Sequence, residues 1–206
     1  STDFPNEMTD WPAGWMSVAV TLSGIAAMGA EPADILLAVG LDHPSRLRQI
    51  LEGAKSCCDT YGARFAGGDL DSHRELTLVS SGIGFSLNPV RRAGSRVGEV
   101  VGIVGVPGRA QAALEGHTQY LQYLLTPRPR VEEGRILASA GVSSMMDVSD
   151  GLISSLFDMK EANSCGYEIF SSQIPGIPGI SPDPGLDLAL RRGGDFCLIL
   201  TCRPEV

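Results

Sequence analysis

The run Met145-Met146-Asp147-Val148-Ser149-Asp150-Gly151-Leu152 sets two carboxylates and a hydroxyl within four residues, where an apolar segment ends and a helix can begin. A second acidic cluster, Ala66-Gly67-Gly68-Asp69, also follows a short apolar run. Carboxylates in such positions hold hard cations, and backbone N–H groups at a helix start or beside glycines meet phosphate oxygens. The two segments together point to magnesium–nucleotide chemistry. No G-x-x-x-x-G-K-[ST] loop occurs in the chain, so nucleotide binding would use a different scaffold.

Each candidate has a plainer structural reading. Ser149 or Asp150 would simply cap a helix over 151–162. Gly67-Gly68-Asp69 would be a tight turn between strands, and Gly193-Gly194-Asp195 repeats that pattern. Gly102-x-x-Gly105-x-x-Gly108 lacks the register of a dinucleotide loop and reads as a strand-to-helix turn. Arg91, Arg92 and Arg96 sit in a glycine-containing linker, a solvated hinge by default and a phosphate clamp as the sharper alternative. His43, His73 and His117 are too far apart for ligand spacing and read as surface or capping residues. No Ser-His-Asp or Cys-His arrangement is indicated.

The elements that must position these residues follow from periodicity. Apolar spacing predicts helices over 14–28, 43–61, 110–114, 117–125, 131–140, 151–162 and 186–191. Apolar runs predict strands over 34–41, 63–66, 75–87, 100–104, 166–170 and 198–202, with Gly82 and Gly84 marking a twist or bulge. Residues 174–185 are dense in Pro and Gly and read as an irregular loop. A boundary falls near 88–98. The pattern is α+β with two domains, 1–88 and 96–206, rather than a doubly wound sheet.

The sequence of 206 residues is 43% hydrophobic and 19% charged, so a sizeable core is available. A net charge of −8 argues against a nucleic-acid partner, which calls for a basic face, and leaves phosphate substrates open. The five cysteines are Cys57, Cys58, Cys165, Cys197 and Cys202, an odd number without a C-x-x-C. They suggest a reducing, cytoplasmic setting. No apolar run is long enough to span a membrane. The sequence opens on Ser1 without an initiator Met and stops just past a strand-like run, as a fragment of a longer protein would.

Five stretches, in order, resemble one family. They are Gly14-Trp15 through Leu22-Ser23-Gly24 to Glu31-Pro32, then Tyr61 through Gly67-Gly68-Asp69, then Arg128-Pro129-Arg130-Val131 with Gly134, then Met146 to Leu152, and Gly193-Gly194-Asp195-Phe196. The family is thiamine-monophosphate kinase, most like its archaeal branch, in the aminoimidazole ribonucleotide synthetase superfamily. The resemblance implies a two-domain aminoimidazole ribonucleotide synthetase-like fold. Its N-terminal domain binds ATP and pairs in a homodimer, and an α/β sandwich domain follows. It implies magnesium-assisted transfer of the ATP γ-phosphoryl group to thiamine monophosphate, giving thiamine diphosphate without a covalent intermediate on the protein.

Carried across by position, the resemblance makes Asp69, Asp147 and Asp150 metal ligands. It makes Tyr61, Gly68, Asp69, Arg92 and Ser149 the ATP contacts, and Asp3 a thiamine monophosphate contact. Three departures stand out. The upstream acidic motifs of the family are absent, Gly24 replaces a metal-binding Asp, and Gly194 replaces a Glu common in bacterial members. The aromatic that stacks on thiamine is missing as well. Two rival readings follow: a superfamily relative acting on another small molecule, or a catalytically impaired remnant that dimerises or binds nucleotide.

Overall fold

The computed structural model describes residues 8–205. Its first helix, α1, spans Asp10–Ala27. It starts ahead of the expected residue 14 because Pro12 falls in the first turn, where no intrahelical N–H bond is lost. Strand β1 (Glu31–Leu41) follows, then a single 3-10 turn at Pro44–Arg46 and α2 (Leu47–Thr60). The 3-10 turn takes up the first residues of the helix expected from 43, and His43 caps it through Nδ1. Strands β2 (Arg64–Ser72) and β3 (Thr77–Phe85) complete a three-stranded sheet in the order β2-β1-β3.

In β1, Ile35, Leu37, Val39 and Leu41 are buried and alternate with exposed Leu36 and Ala38. The buried set packs on Val18, Ala19 and Leu22 of α1 and on Ile50, Ala54, Cys57 and Cys58 of α2. The two helices approach closely through glycine. A Cβ on Gly14 would lie 2.0 Å from the Ile50 carbonyl oxygen, and one on Gly53 would lie 2.0 Å from that of Trp11. Gly14 of the Gly-Trp motif is therefore a packing residue. Beside Gly84, a register shift at Pro32/Asp34 supplies the bulge that the strand glycines foretold.

The second sheet has the order β4-β6-β5, formed by β4 (Val100–Val104), β5 (Ser144–Val148) and β6 (Cys197–Cys202), with β6 central and antiparallel to both neighbours. Every residue of β6 is buried, which accounts for its sequence being apolar apart from Thr201. Between β4 and β5 lie α3 (Arg109–Leu114), a 3-10 turn at Thr118–Tyr120, α4 (Leu121–Leu125) and α5 (Val131–Ala140). Between β5 and β6 lie α6 (Leu152–Asn163), a 3-10 turn at Ser171–Gln173 and α7 (Pro182–Arg191). Leu152 and Met159 of α6 pack on Met146, Val148 and Ile199 from one side. On the other side Met145, Leu198 and Leu200 meet Ala27, Leu137 and Ala138.

Helix α1 serves both sheets. Gly134 of α5 lies so close that a Cβ there would stand 2.1 Å from the Ala26 carbonyl oxygen. The glycine of the Pro-Arg motif is thus another packing residue.

Four expectations need correction. Gly67-Gly68-Asp69 is not a turn; it lies within β2, where Gly68 aligns with Leu37 and Asp69 with Ala38. A register shift between Ile35 and Leu36 absorbs Ala66, so the strand continues through the glycines. Residues 166–170 form no strand; they pair with neither edge of the second sheet. Helix α7 begins at Pro182, inside the expected loop, since proline suits the first helical turn. The linker is solvated, as expected for Arg91, Arg92 and Arg96, but its backbone is anchored and is no free hinge. Val90 N–H donates to Met28 O at 3.1 Å, Met145 N–H to Arg91 O at 3.0 Å, and the Asn163 side chain binds three backbone groups of Arg92, Gly94 and Ser95. Among the described residues no helix is long and apolar enough to cross a membrane.

Candidate active site

Asp147 lies on β5 opposite Leu198 of β6, half-buried. The hydroxyl of Ser23, fully buried on α1, donates to its Oδ2 at 3.0 Å. This bond ties the N-terminal helix to the second sheet and leaves Oδ1 free to ligate. Next to Ser23, Gly24 is exposed, and a Cβ built on it meets nothing within 4 Å. A side chain at position 24 would therefore extend into open space beside the residue that grips Asp147.

Past β5 the chain turns sharply into α6. The helix is preceded by Gly151, at φ +100°, and neither Ser149 nor Asp150 caps it. Ser149 Oγ instead donates to Asp150 Oδ2 at 3.1 Å. The plain capping reading fails, and the first N–H groups of a 12-residue helix keep no side-chain cap. Such an end carries partial positive charge and suits an anion. Ser149 and exposed Asp150 stand in front of it.

The turn at residues 193–196 backs this loop. Gly194 N–H donates to Ser149 O at 3.0 Å, and a Cβ on Gly193 would lie 1.8 Å from the same oxygen. Asp195 is nine-tenths buried and accepts N–H bonds from Gly108 at 2.7 Å and Ala110 at 2.9 Å. Burial pushes its carboxyl up to about 6, against the opposing pull of those amides and Arg109. The sequence marked this turn as a repeated glycine pattern and a family motif, but gave Asp195 no role. That Asp195 faces inward is foreshadowed only by the buried strand that follows it.

The other candidates are more dispersed. Gly68 and Asp69 are exposed on β2, and Asp69 aligns with Ala38, on the sheet face turned away from α1. Arg92 is exposed; its Nη1 lies 3.6 Å from Asp158 Oδ2, while its carbonyl accepts from Asn163. Tyr61 is half-buried with its ring edge-on to Trp15, centroids 6.4 Å apart, and burial foremost pushes its phenol up to about 12. It belongs to the first core as much as to any site. Asp3 lies outside the described residues. Among those described, no three His, Cys, Asp or Glu side chains come together to hold a metal. Ser23, which sequence reasoning missed, stands beside Gly24, the position where the family departure had been noticed.

Residues 1–86 match the family model of the AIR synthase related protein N-terminal domain. A thiamine-monophosphate kinase of Methanospirillum hungatei JF-1 is 50% identical over 206 residues, which is 99% of this chain and 72% of that protein. The chain belongs to the thiamine-monophosphate kinase family. Its backbone agrees: a thiamine-monophosphate kinase crystal structure from Stenotrophomonas maltophilia K279a superposes with a TM-score of 0.91 at 27% identity, covering 98% of this chain and 71% of that one. A structure of AaThiL complexed with AMPPCP and TMP shares the fold, with a TM-score of 0.90 at 23% identity over 97% of this chain and 71% of that one. The thiamine-monophosphate kinase assignment sets aside the reading of this chain as another branch of the superfamily, and the fold is the aminoimidazole ribonucleotide synthetase-like α+β fold that the motifs implied.

Proposed function

We propose that this chain transfers the γ-phosphoryl group of ATP to thiamine monophosphate, forming thiamine diphosphate, with magnesium, as a cytoplasmic homodimer. The observation that carries the reading is half identity, over nearly the whole chain, to a protein named for that activity. A solved neighbour of the same fold is complexed with AMPPCP and TMP, which fits a protein that takes both a nucleotide and this acceptor.

The site's own chemistry suits this reaction. Direct phosphoryl transfer asks the protein for positioning and charge neutralisation rather than a nucleophile. The uncapped start of α6 and Ser149 would hold nucleotide phosphates; Gly68 is assigned to them on the family resemblance, its missing Cβ being required by the Leu37 carbonyl, 1.8 Å from where one would stand. Arg92 would grip them with a planar fork. Tyr61 is assigned to the nucleotide and Asp3 to thiamine monophosphate on the family resemblance alone. The acceptor phosphate oxygen supplies the attacking electron pair and ADP leaves.

Asp147, Asp150 and Asp69 are oxygen donors of the kind magnesium takes. Although they do not cluster in threes, magnesium shared with phosphates needs only one or two carboxylates. Asp147, held by Ser23 with one oxygen free, fits best. When bound, the ion neutralises phosphate charge.

The homodimer is supported by an uncovered apolar face of the first sheet. Leu36, Val79, Ile83 and Phe85 are 48%, 60%, 55% and 70% exposed, opposite the side that the helices cover. We assign residues 1–88 to the ATP-binding and dimerising unit and 96–206 to the second α/β unit.

A second reading has one specific observation behind it. Glycine at position 24 offers no carboxylate beside Ser23 and Asp147, which favours a nucleotide-binding protein of impaired catalysis. The test is chromatographic detection of thiamine diphosphate made by the natural full-length protein from thiamine monophosphate, ATP and magnesium. Steady turnover is expected. Nucleotide binding without product would overturn the kinase reading in favour of the second.

A further inference from the structure

We infer that Asp195 is the positioning residue that sets the nucleotide-facing loop at Ser149 and Asp150 from behind, an inference that rests on the nucleotide-binding part of the reading above. Three contacts make the case. The Asp195 carboxylate bridges two backbone amides of another segment, Gly108 and Ala110, at 2.7 and 2.9 Å. The preceding residue, Gly194, donates its N–H to Ser149 O at 3.0 Å. Before that, Gly193 packs so tightly that an added Cβ would stand 1.8 Å from Ser149 O and 2.9 Å from Asp150 Cα.

The turn is therefore pressed between α3 and the loop, with no side chain between it and Ser149. It also holds Phe196 at φ +49°, a conformation a bulky residue adopts only when its surroundings enforce it. The carboxylate is the fastening that supplies the enforcement. It accepts two amides through two oxygens, and no other side chain reproduces that pairing at the same length. Release it, and the Gly108 and Ala110 amides lose their acceptor while Gly194 is free to pull away from Ser149. Asp195 touches no substrate; its influence passes through the backbone of Gly194 and Ser149.

The test uses the natural full-length protein with Asp195→Asn and Asp195→Ser, neither of which presents two acceptor oxygens to the two amides. The first readout is amide hydrogen exchange. Segments 105–112 and 147–152 are expected to exchange faster, with α2 unchanged. The second is affinity for AMPPCP, expected to weaken about tenfold, the scale of a lost charge-assisted bond. The third is turnover, in which KM for ATP rises while KM for thiamine monophosphate stays within about twofold. Neither exchange nor AMPPCP affinity requires turnover. A parent protein that binds AMPPCP but makes no thiamine diphosphate would thus sink the kinase reading and leave this inference standing. Unchanged exchange at 147–152, unchanged AMPPCP affinity, or failure of both variants to fold would overturn the positioning role.

Discussion

Two segments of this protein carry the same chemical vocabulary of glycine and aspartate, and the fold treats them differently. Gly67-Gly68-Asp69 lies along an edge strand, exposed, held by the β1 ladder alone. Asp147 to Gly151 is braced from two sides, by Ser23 of α1 and by the 193–195 turn. One segment offers its groups on a sheet surface, and the other fixes them in a supported corner. Residue types name the possible chemistry, while the number of independent supports decides how well a site holds its geometry.

The largest effect that would break this contrast is on activity. Asp147→Asn should lower phosphoryl transfer by at least about a hundredfold in the full-length protein, the scale of losing one charge-stabilising group. Asp69→Asn should also lose most activity but perturb thermal unfolding less, since no side chain among the described residues binds it. Both variants are assayed for kcat and melting temperature. Activity within a factor of two of the parent in either would remove that residue from the site.

Next come the supports. Gly193→Ala drives a methyl into Ser149 O and should cost about 1–3 kcal/mol in urea unfolding. Ser23→Ala should cost about 1 kcal/mol. Arg64→Ala, which breaks the exposed Arg64–Asp34 pair at the start of β2, should leave the unfolding midpoint nearly unchanged. Equal losses in all three would mean that the second segment is no better supported than the first.

Acid titration sharpens the same point. The Asp195 carboxyl is raised from 3.8 to about 6 in the fold. Between those values the native state binds a proton that the unfolded chain has released. Stability from this group is thus fully present below about 4 and is lost as pH rises through about 6. Unfolding free energy measured from pH 4 to 7 should show that decline in the parent, and Asp195→Asn should flatten it. An unchanged slope in the variant would assign the proton to another group.

The smallest expected effect is on stability, at Gly24. Gly24→Asp exchanges one poor helix former for another, and its Cβ meets nothing, so stability should move by under about 0.5 kcal/mol. The added carboxylate should tighten magnesium-dependent nucleotide binding, read by titrating AMPPCP at several magnesium concentrations. An unaltered magnesium dependence, or unfolding, would place residue 24 away from any metal.

Long periodic elements were legible in the sequence. Residues 100–104 and 131–140 fold over the expected spans. The strand through Gly67-Gly68 was not legible, since glycine pairs signal turns locally while β1 supplies the pairing from afar. The expected strand at 166–170 shows the converse: a local apolar run does not by itself secure a ladder partner. In the site, Asp147, Ser149 and Asp150 were visible by type. Ser23 and the inward Asp195 were not, because their meaning lies in contacts across 124 and more than 80 residues.

Helix α1 has a consequence for synthesis on the ribosome. Its second face waits for Gly134 and Asp147, the latter 124 positions downstream of Ser23. At about 5–20 residues per second, roughly 6–25 seconds separate the two residues. During that interval the first sheet can already close over one flank of α1, leaving Ala26 and Ala27 bare. The nascent chain thus carries a half-finished helix, a natural resting place for a chaperone until the second sheet arrives to cover it.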